Sequence, residues 1–139
     1  MSARDKVHQH VVNALRKDGW TITHDPFFVP WKLRRVQIDL GAEREVLAAE
    51  KGTQKIAVEI KSFIGANDLE DLYHALGQFI LYRKALRLAY PEYVLYLALN
   101  EEAYREAFGD QEGESLRSEE EVRLLVFNAQ TEEIVLWKP

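Results

Sequence analysis

Residues 56–62 read Ile-Ala-Val-Glu-Ile-Lys-Ser, an apolar run that carries two opposite charges. Successive side chains of an extended strand point to opposite faces of the sheet, so Glu59 and Lys61 share one face with Ala57. A carboxylate and an ammonium group are expensive to bury and need not stabilise the fold. The pattern therefore indicates a function for this pair, with an ion pair on an edge strand as the structural alternative.

The residues before this run predict one helix followed by strands. Apolar residues of helical spacing and the stop signal Gly19 place the helix at about 3–18. The sequence predicts a short strand at 20–24, an irregular segment at 27–32, an extended segment at 36–40, and two hairpin strands at 46–50 and 55–63 around the turn 51–54.

The residues after the run predict a long helix and a second group of strands. Asn67 and Glu70 mark a helix start, and the helix continues to about residue 89. Its apolar face is predicted to hold Leu69, Leu72, Leu76, Phe79, Ile80 and Leu86. A buried strand at 93–99, a short helix at 101–108 capped by Asn100, and strands at 122–128 and 133–138 complete the chain. The order αβββαβ predicts an α/β fold with a mixed central sheet flanked by helices.

Composition limits the class of protein. The chain has 139 residues, 47% hydrophobic and 29% charged, which is typical of one globular domain spanning 1–139. The absence of cysteine excludes disulfides, cysteine-ligated zinc, iron–sulfur clusters and thiol catalysis, and it favours a reducing compartment. The first ten residues contain no apolar signal segment, and no apolar stretch is long enough to cross a bilayer. We expect a cytoplasmic protein without a membrane partner.

The charge is unevenly distributed. Residues 101–121 contain nine acidic residues and two arginines, whereas the remaining residues are slightly basic within a chain of net charge −5. On its own, the acidic segment is typical of a solvated loop. The basic residues cluster at Lys32, Arg34 and Arg35 and again at Arg83, Lys84 and Arg87. Because screening limits the range of charge to about 8–10 Å, an acidic protein can still bind a phosphate backbone through a local patch.

A second carboxylate precedes the charged strand. Asp39 lies 20 residues before Glu59, at the end of the extended segment that enters the hairpin. Two carboxylates and the carbonyl oxygen of Ile60 are hard ligands of the kind that Mg²⁺ or Mn²⁺ prefers. A lysine two residues further on, Lys61, is placed to orient or deprotonate an attacking water and to stabilise charge on phosphorus. The alternative for Asp39 is a turn or capping residue.

The arrangement of Asp39 followed by Glu59-Ile60-Lys61 resembles the PD-(D/E)xK nuclease superfamily, whose restriction-endonuclease-like core is αβββαβ. The resemblance covers about residues 3–100. It implies that Asp39, Glu59, Lys61 and Gln78 are catalytic. The segment Gln78-Phe-Ile-Leu-Tyr82 also resembles the Q-x-x-x-Y motif of the RecB-like branch, which implies that Gln78 and Tyr82 help to arrange the site and the DNA.

A closer resemblance is to the XisH family of excision-controlling factors of cyanobacterial DNA elements. The blocks that carry it are Ala3-Arg-Asp5, Lys17-Asp-Gly-Trp-Thr-Ile-Thr-His-Asp-Pro26, Ile38-Asp-Leu-Gly-Ala-Glu43, Ala48-Ala-Glu-Lys51, Ile56-Ala-Val-Glu-Ile-Lys-Ser-Phe63 and Ala75-Leu-Gly-Gln-Phe79. Membership implies a role in programmed DNA rearrangement. It also implies a site-specific recombinase and an XisI-like companion protein as partners.

Three further residues are candidates for supporting roles. His8 flanks the inner face of the first helix, where many nucleases of the superfamily have a glutamate, and a satisfied or solvated histidine is the alternative. Glu50 is expected to face Lys55 across the hairpin, as a cross-strand ion pair. His24, just before Asp25-Pro26, can line the site or make a hydrogen bond at the end of its strand.

Three functions remain open at this point. The leading hypothesis is a Mg²⁺-dependent DNA endonuclease that hydrolyses phosphodiesters. The second is a catalytically silent DNA-binding or recombinase-partner factor on a nuclease fold, and the third is a protein-interaction module that docks through residues 101–121. We also expect a homodimer, because the closing strands at 122–127 and 134–137 are more apolar than the core requires.

Overall fold

A six-stranded mixed sheet forms the centre of the fold, in a computed structural model that describes residues 3–46, 52–61 and 69–139. The helices are α1 (Ala3–Lys17), α2 (Leu69–Ala89), α3 (Glu101–Phe108) and α4 (Gln111–Glu119). The strands are β1 (Thr21–His24), β2 (Phe27–Trp31), β3 (Arg34–Ile38), β4 (Leu40–Val46), β5 (Gly52–Ile60), β6 (Tyr93–Asn100), β7 (Leu124–Asn128) and β8 (Glu133–Lys138).

The central sheet has the order β1-β4-β5-β6-β7-β8. Strands β5, β6 and β7 are parallel to one another, and the pairs β1/β4, β4/β5 and β7/β8 are antiparallel. Within this sheet the chain follows α1, β1, β4, β5, α2, β6, which is the predicted αβββαβ order. The predicted mixed α/β fold is therefore confirmed, and β5 lies inside the sheet between β4 and β6.

Two hydrophobic cores lie on the two faces of this sheet. One face packs against α1, through residues such as Val11, Leu15, Ile56 and Val58. The other face carries Ala57 and packs against residues of α2, α3, β2 and β3. Alternation along β5 thus assigns its odd-numbered residues to the side of α2. In the described part of the chain, none of the helices is both long and apolar enough to span a bilayer.

Helix α1 ends where the sequence predicts. Gly19 has a φ of +89°, a left-handed conformation that glycine adopts without steric cost. The amide of Gly19 donates to the carbonyl of Arg16, and the amide of Trp20 donates to that of Leu15. This pair of hydrogen bonds is the Schellman motif, which satisfies the last carbonyls of the helix and turns the chain into β1.

The segment at 27–32 is not irregular, as predicted, but forms strand β2. It pairs in antiparallel fashion with β3, in a separate two-stranded sheet with the register Phe27↔Ile38 to Trp31↔Arg34. The presence of Pro30 obscured the strand, but proline is tolerated in an isolated ribbon whose strands have free edges. The consequence is an inserted hairpin between β1 and β4 that ends one residue before Asp39.

The predicted turn of the β4/β5 hairpin is also wrong. Gly52 and Thr53 belong to β5, where Gly52 pairs with Val46. The strand predicted at 46–50 is replaced by β4 at Leu40–Val46, with 47–50 outside the described residues. Glu43, rather than Glu50, lies directly across from Lys55. Glu50 itself lies outside the described residues.

Two predictions about the helices need correction. On α2, Leu69 and Ile80 are exposed although they were predicted to face the core, and the small residues Ala75 and Ala85 are buried instead. The acidic segment 101–121 is not a loop, since it contains an unpredicted helix, α4, after the predicted helix at 101–108. Asp110 caps α4 by accepting a hydrogen bond from the amide of Gly113. The predicted cap of α3 is confirmed, because Asn100 accepts from the amide of Ala103.

Candidate functional site

Strand β5 carries Glu59 and Lys61 to the end of the sheet on the side of α2. Glu59 is 7% exposed and is the only buried charged residue in the described part of the chain. Nζ of Lys61 lies 3.7 Å from Oε2 of Glu59. The predicted pair is therefore formed on an internal strand, which removes the edge-strand explanation.

Asp39 occupies the single residue between β3 and β4, opposite the end of β5. Its Oδ2 accepts a hydrogen bond of 2.8 Å from the amide of Ile60. In return, Oε1 of Glu59 accepts a hydrogen bond of 3.3 Å from the amide of Asp39. Each carboxylate is thus bound to the backbone beside the other, and the two acids lie together although 20 residues separate them in sequence.

The two acids determine the electrostatics of this site. Burial, followed by the charge of Asp39, raises the pKa of Glu59 to about 8, and the attraction of Lys61 only partly offsets this. At neutral pH, Glu59 therefore holds a proton when no other cation is present. A divalent cation can take the place of that proton, since it compensates the same excess of negative charge.

Helix α2 brings Gln78 and Tyr82 to the same place. Nε2 of Gln78 donates to the hydroxyl of Tyr82 over 3.4 Å. Burial, and then the charges of Glu59 and Asp39, raise the pKa of Tyr82, so the hydroxyl lies within the field of both acids. Oε1 of Gln78 is buried and has no hydrogen-bond partner. A buried acceptor without a partner is costly, and its presence points to a group that completes the site when bound.

The residues present fit a divalent metal ion. The two carboxylates supply hard, negatively charged oxygens. Gln78, whose Oε1 has no partner among the described residues, is hydrogen-bonded to Tyr82, which lies in the field of both acids. Mg²⁺ commonly binds through one or two carboxylates and keeps water or phosphate oxygens at its other positions. Within 3–46, 52–61 and 69–139, no three His, Asp or Glu side chains are grouped as a metal site, so the donor set is limited to this pair.

The two candidate histidines lie elsewhere. Nε2 of His8 is 2.8 Å from Oδ1 of Asp25, in an ion pair near the start of β2. The ring of His24 stacks on Phe27 with centroids 3.9 Å apart, and its Nδ1 shares a hydrogen bond with Oγ1 of Thr23. Burial lowers the pKa of His24. Both residues thus have structural partners, as their alternatives predicted.

Two features beside the site were not predicted. The β2/β3 hairpin leads into the site through Asp39, and it was hard to predict because Pro30 interrupts its strand pattern. A shallow groove also runs along α2 to Gln78, lined by Tyr73, His74 and Gly77 among others. The helical spacing of Tyr73, His74, Gly77 and Gln78 was a usable signal for this second feature, although their exposure was not evident.

Comparisons with known proteins agree with this fold. The sequence model of a family described as XisH protein matches residues 1–135. The crystal structure of an XisH family protein from Nostoc punctiforme PCC 73102 is 38% identical, with a TM-score of 0.84, and the match covers 97% of this chain and all of that one. A second crystal structure, of an fdxN element excision controlling factor protein from Anabaena variabilis, is 37% identical. Its TM-score is 0.84, and the match covers 98% of this chain and 100% of that one. No curated protein matches the chain.

Proposed function

Because the chain belongs to the XisH family, we propose that it serves the excision or rearrangement of a DNA element as a Mg²⁺-dependent endodeoxyribonuclease. The relative from Anabaena variabilis is named an fdxN element excision controlling factor, which supports the biological half of this proposal. The proposed nuclease activity is supported by the site. The αβββαβ order and the positions of Asp39, Glu59 and Lys61 resemble the PD-(D/E)xK superfamily in its RecB-like branch.

The observation that carries the nuclease proposal is the reciprocal backbone binding of Asp39 and Glu59. Two ionised carboxylates repel each other, and holding both at one place costs free energy unless a proton or a cation joins them. The two carboxylates lie at the end of an internal strand, where packing of the core does not require an acidic pair. A site for a divalent cation explains that arrangement.

Asp39, Glu59 and the carbonyl of Ile60 would hold the metal, which can be Mg²⁺ or Mn²⁺. When bound, the ion supplies neutralisation of the phosphodiester charge and lowers the pKa of a water molecule. The protein contributes a fixed donor set. Because backbone amides hold both carboxylates, no side chain has to be reorganised during the reaction.

Lys61 is the residue that acts on the reacting phosphate. Its ammonium group, next to Glu59, orients the attacking water and stabilises the negative charge that builds on the phosphorus oxygens as the P–O bond breaks. Gln78 and Tyr82 support the site from α2. The amide oxygen of Gln78 is free to bind a water or a metal ligand, and Tyr82 keeps the amide in place.

The second candidate is a catalytically silent DNA-binding or recombinase-partner factor. The observation that favours it is the small donor set, because α1 places His8 against Asp25 and provides no acid to the site in the described residues. Such a protein would keep the metal-binding arrangement of the site but would not catalyse hydrolysis. It would bind DNA in the presence of metal and leave it intact.

The proposal includes three kinds of partner. DNA is the substrate, and a site-specific recombinase and an XisI-like companion are proposed from family membership.

A homodimer remains a prediction, and less exposed apolar surface supports it than the sequence indicated. Residues 124–127 of β7 are buried in the single chain, so the exposed apolar residues of this region are Val135 and Leu136 on the edge strand β8.

The decisive assay incubates the protein with supercoiled plasmid, linear duplex and branched DNA in Mg²⁺ or Mn²⁺. The nuclease proposal predicts nicked or linear products with the wild type and none with Glu59→Gln. If the wild type binds one of these DNAs without cutting any, the silent-factor proposal is correct instead. If it binds no DNA, with or without its companion, both nucleic-acid proposals fail and a protein-interaction module is left.

A further inference from the structure

The tip of the β2/β3 hairpin carries basic side chains that have no carboxylate partner among the described residues. Residues 27–38 contain three basic residues and no acidic residue, in a chain of net charge −5. Lys32, Arg34 and Arg35 are all exposed, and within the described part of the chain none of them has a carboxylate partner. The charge of the tip is therefore available to an anionic partner.

The tip also exposes a large apolar side chain. Leu33 is fully exposed, the most exposed large hydrophobic residue among those described. It follows Lys32 in a two-residue connection between the paired residues Trp31 and Arg34. Lys32 has a φ of 54°, a conformation for which glycine is the usual residue in such turns. A lysine at a strained position, next to an uncovered leucine, is an arrangement that core packing does not explain.

The hairpin is held rigidly against the rest of the protein. Phe27, Val29 and Ile38 on its inner face are buried, and β2 and β3 contact α2. On its outer face, the guanidinium of Arg35 lies 3.9 Å above the ring of Phe28. The cations are thus presented on a fixed ribbon, which lowers the conformational entropy lost when a ligand binds.

The position of the hairpin relates its tip to the candidate site. Strand β3 runs from the tip to Ile38, the residue before Asp39. Five residues of antiparallel strand span about 17 Å at about 3.4 Å per residue. One turn of B-DNA measures about 34–36 Å, so a single duplex is long enough to contact both the tip and the site.

We propose that the β2/β3 hairpin docks duplex DNA beside the site, with Lys32, Arg34 and Arg35 on backbone phosphates and Leu33 inserted into the minor groove. This inference rests on the proposed function. Arginines are attracted to the negative potential of a narrow minor groove, and apolar side chains inserted there wedge apart base steps. The paired strands are too broad for a groove about 6 Å wide, so only the turn enters it.

The test measures binding of a fluorescein-labelled duplex of about three helical turns by anisotropy, with Ca²⁺ in place of Mg²⁺, between about 50 and 200 mM NaCl. Arg34→Ala/Arg35→Ala is expected to weaken binding at least about tenfold and to reduce the salt slope by about 1.8, or 0.9 per lost phosphate contact. Leu33→Ala is expected to weaken binding about fivefold without changing the slope, because the lost contact is apolar. All three side chains are exposed, so the melting temperature stays that of the wild type.

The matched control is Lys6→Ala/Arg16→Ala, which removes two exposed cations from α1 on the other face of the sheet. It changes the net charge equally and is expected to change the affinity less than about twofold. Hydroxyl-radical footprinting of the wild type is expected to show protection within one helical turn of the cleaved bond.

Three results would overturn the inference in different ways. If the hairpin variants and the control bind the duplex as the wild type does, the hairpin is not the docking element, while the proposed nuclease function stands. If the wild type binds no duplex at any salt concentration, the inference and the proposed function fail together. A hairpin variant could instead leave the DNA affinity unchanged but change the sedimentation coefficient of the protein in the absence of DNA. In that case the tip contacts the acidic α3 and α4 segment of a second copy, and DNA docking is refuted.

Discussion

The amide of Ile60 donates a hydrogen bond of 2.8 Å to Oδ2 of Asp39, which ties the end of β5 to the entry of β4. The return bond from the amide of Asp39 to Oε1 of Glu59 closes a small ring that includes both acids. Neither carboxylate can turn away to solvent without breaking a bond to the backbone. This ring is the structural basis of the predictions below.

Asp39→Asn is expected to preserve the fold and to lower the pKa of Glu59. An asparagine oxygen can still accept from the amide of Ile60, but the charge that raises the pKa of Glu59 is removed. Carbon-13 NMR of the glutamate carboxyl groups across a pH titration measures this shift directly. An unchanged Glu59 pKa in Asp39→Asn would show that burial alone determines its value.

Glu59→Gln is expected to change how stability depends on pH in metal-free protein. The folded pKa of about 8 lies above the unfolded value of 4.5, so the folded state binds more protons between these pH values. The free energy of unfolding of the wild type therefore falls as pH rises from about 4.5 to 8, by an amount on the order of a few kcal/mol. Glutamine does not titrate, so the variant should lack this slope and be the more stable protein at pH 9. Urea unfolding in EDTA at several pH values tests this, and parallel curves for the two proteins would contradict it.

Lys61→Ala is expected to abolish cleavage while nearly preserving metal binding. The ammonium group is not a metal ligand, and its assigned role is on the reacting phosphate. The matched control is Lys55→Ala on the same strand, where the ammonium group lies 5.6 Å from the ring of Tyr93 rather than beside Glu59. Single-turnover cleavage and calorimetry separate the two effects. A Lys61→Ala protein that cuts at the wild-type rate would remove lysine from the mechanism.

Gln78→Met is expected to stabilise the metal-free protein by about 1 kcal/mol and to weaken Mg²⁺ binding. The substitution replaces a buried oxygen that has no partner with an apolar group of similar length. Thermal unfolding with and without Mg²⁺ gives both quantities. Loss of stability in EDTA would mean that Oε1 of Gln78 is not an unpaired acceptor.

Glu114→Gln is expected to destabilise the protein modestly at neutral pH, by no more than about 1 kcal/mol, because the pairs are partly exposed and screened. Hydrogen bonds from Arg117 and Lys138 lower the pKa of Glu114 to about 2, which ties α4 to β8. The contribution is present above the unfolded pKa of 4.5 and is lost as pH falls from there toward 2. The difference between the two proteins should accordingly vanish near pH 2, and a constant difference would disprove the assignment.

The sequence predicted the elements whose pattern is local and regular. Alternation along 56–62 placed Glu59 and Lys61 on one face, and the end of α1 followed from Gly19. It did not predict β2, because Pro30 interrupts a run of strand-forming residues and the pairing with β3 is a tertiary choice. Helix α4 was also missed, since the charge pattern of the acidic segment is that of a loop and the helix depends on the Asp110 cap.

The residues of the candidate site could be predicted from the sequence, but the hydrogen bonds between them could not. The spacing of Asp39 and Glu59 indicated two acids near one strand end, whereas the exchange of backbone hydrogen bonds depends on the register Leu40↔Val58. The register of a hairpin follows from its connection, and the predicted turn at Gly52-Thr53 was the wrong one. Roles for His8 and His24 could not be decided from sequence, because their partners Asp25 and Phe27 lie around the unpredicted hairpin.

The central claim is that Asp39 and Glu59 form one divalent-cation site, and calorimetric titration of Mn²⁺ and Mg²⁺ tests it most directly. At pH 8.5, above the pKa of Glu59, the wild type should bind one ion per chain, whereas Glu59→Gln and Asp39→Asn should show no saturable heat. Below pH 8 the wild type should bind more weakly and release a proton to the buffer, because the ion displaces the proton on Glu59. Equal binding by the wild type and Glu59→Gln would contradict the account.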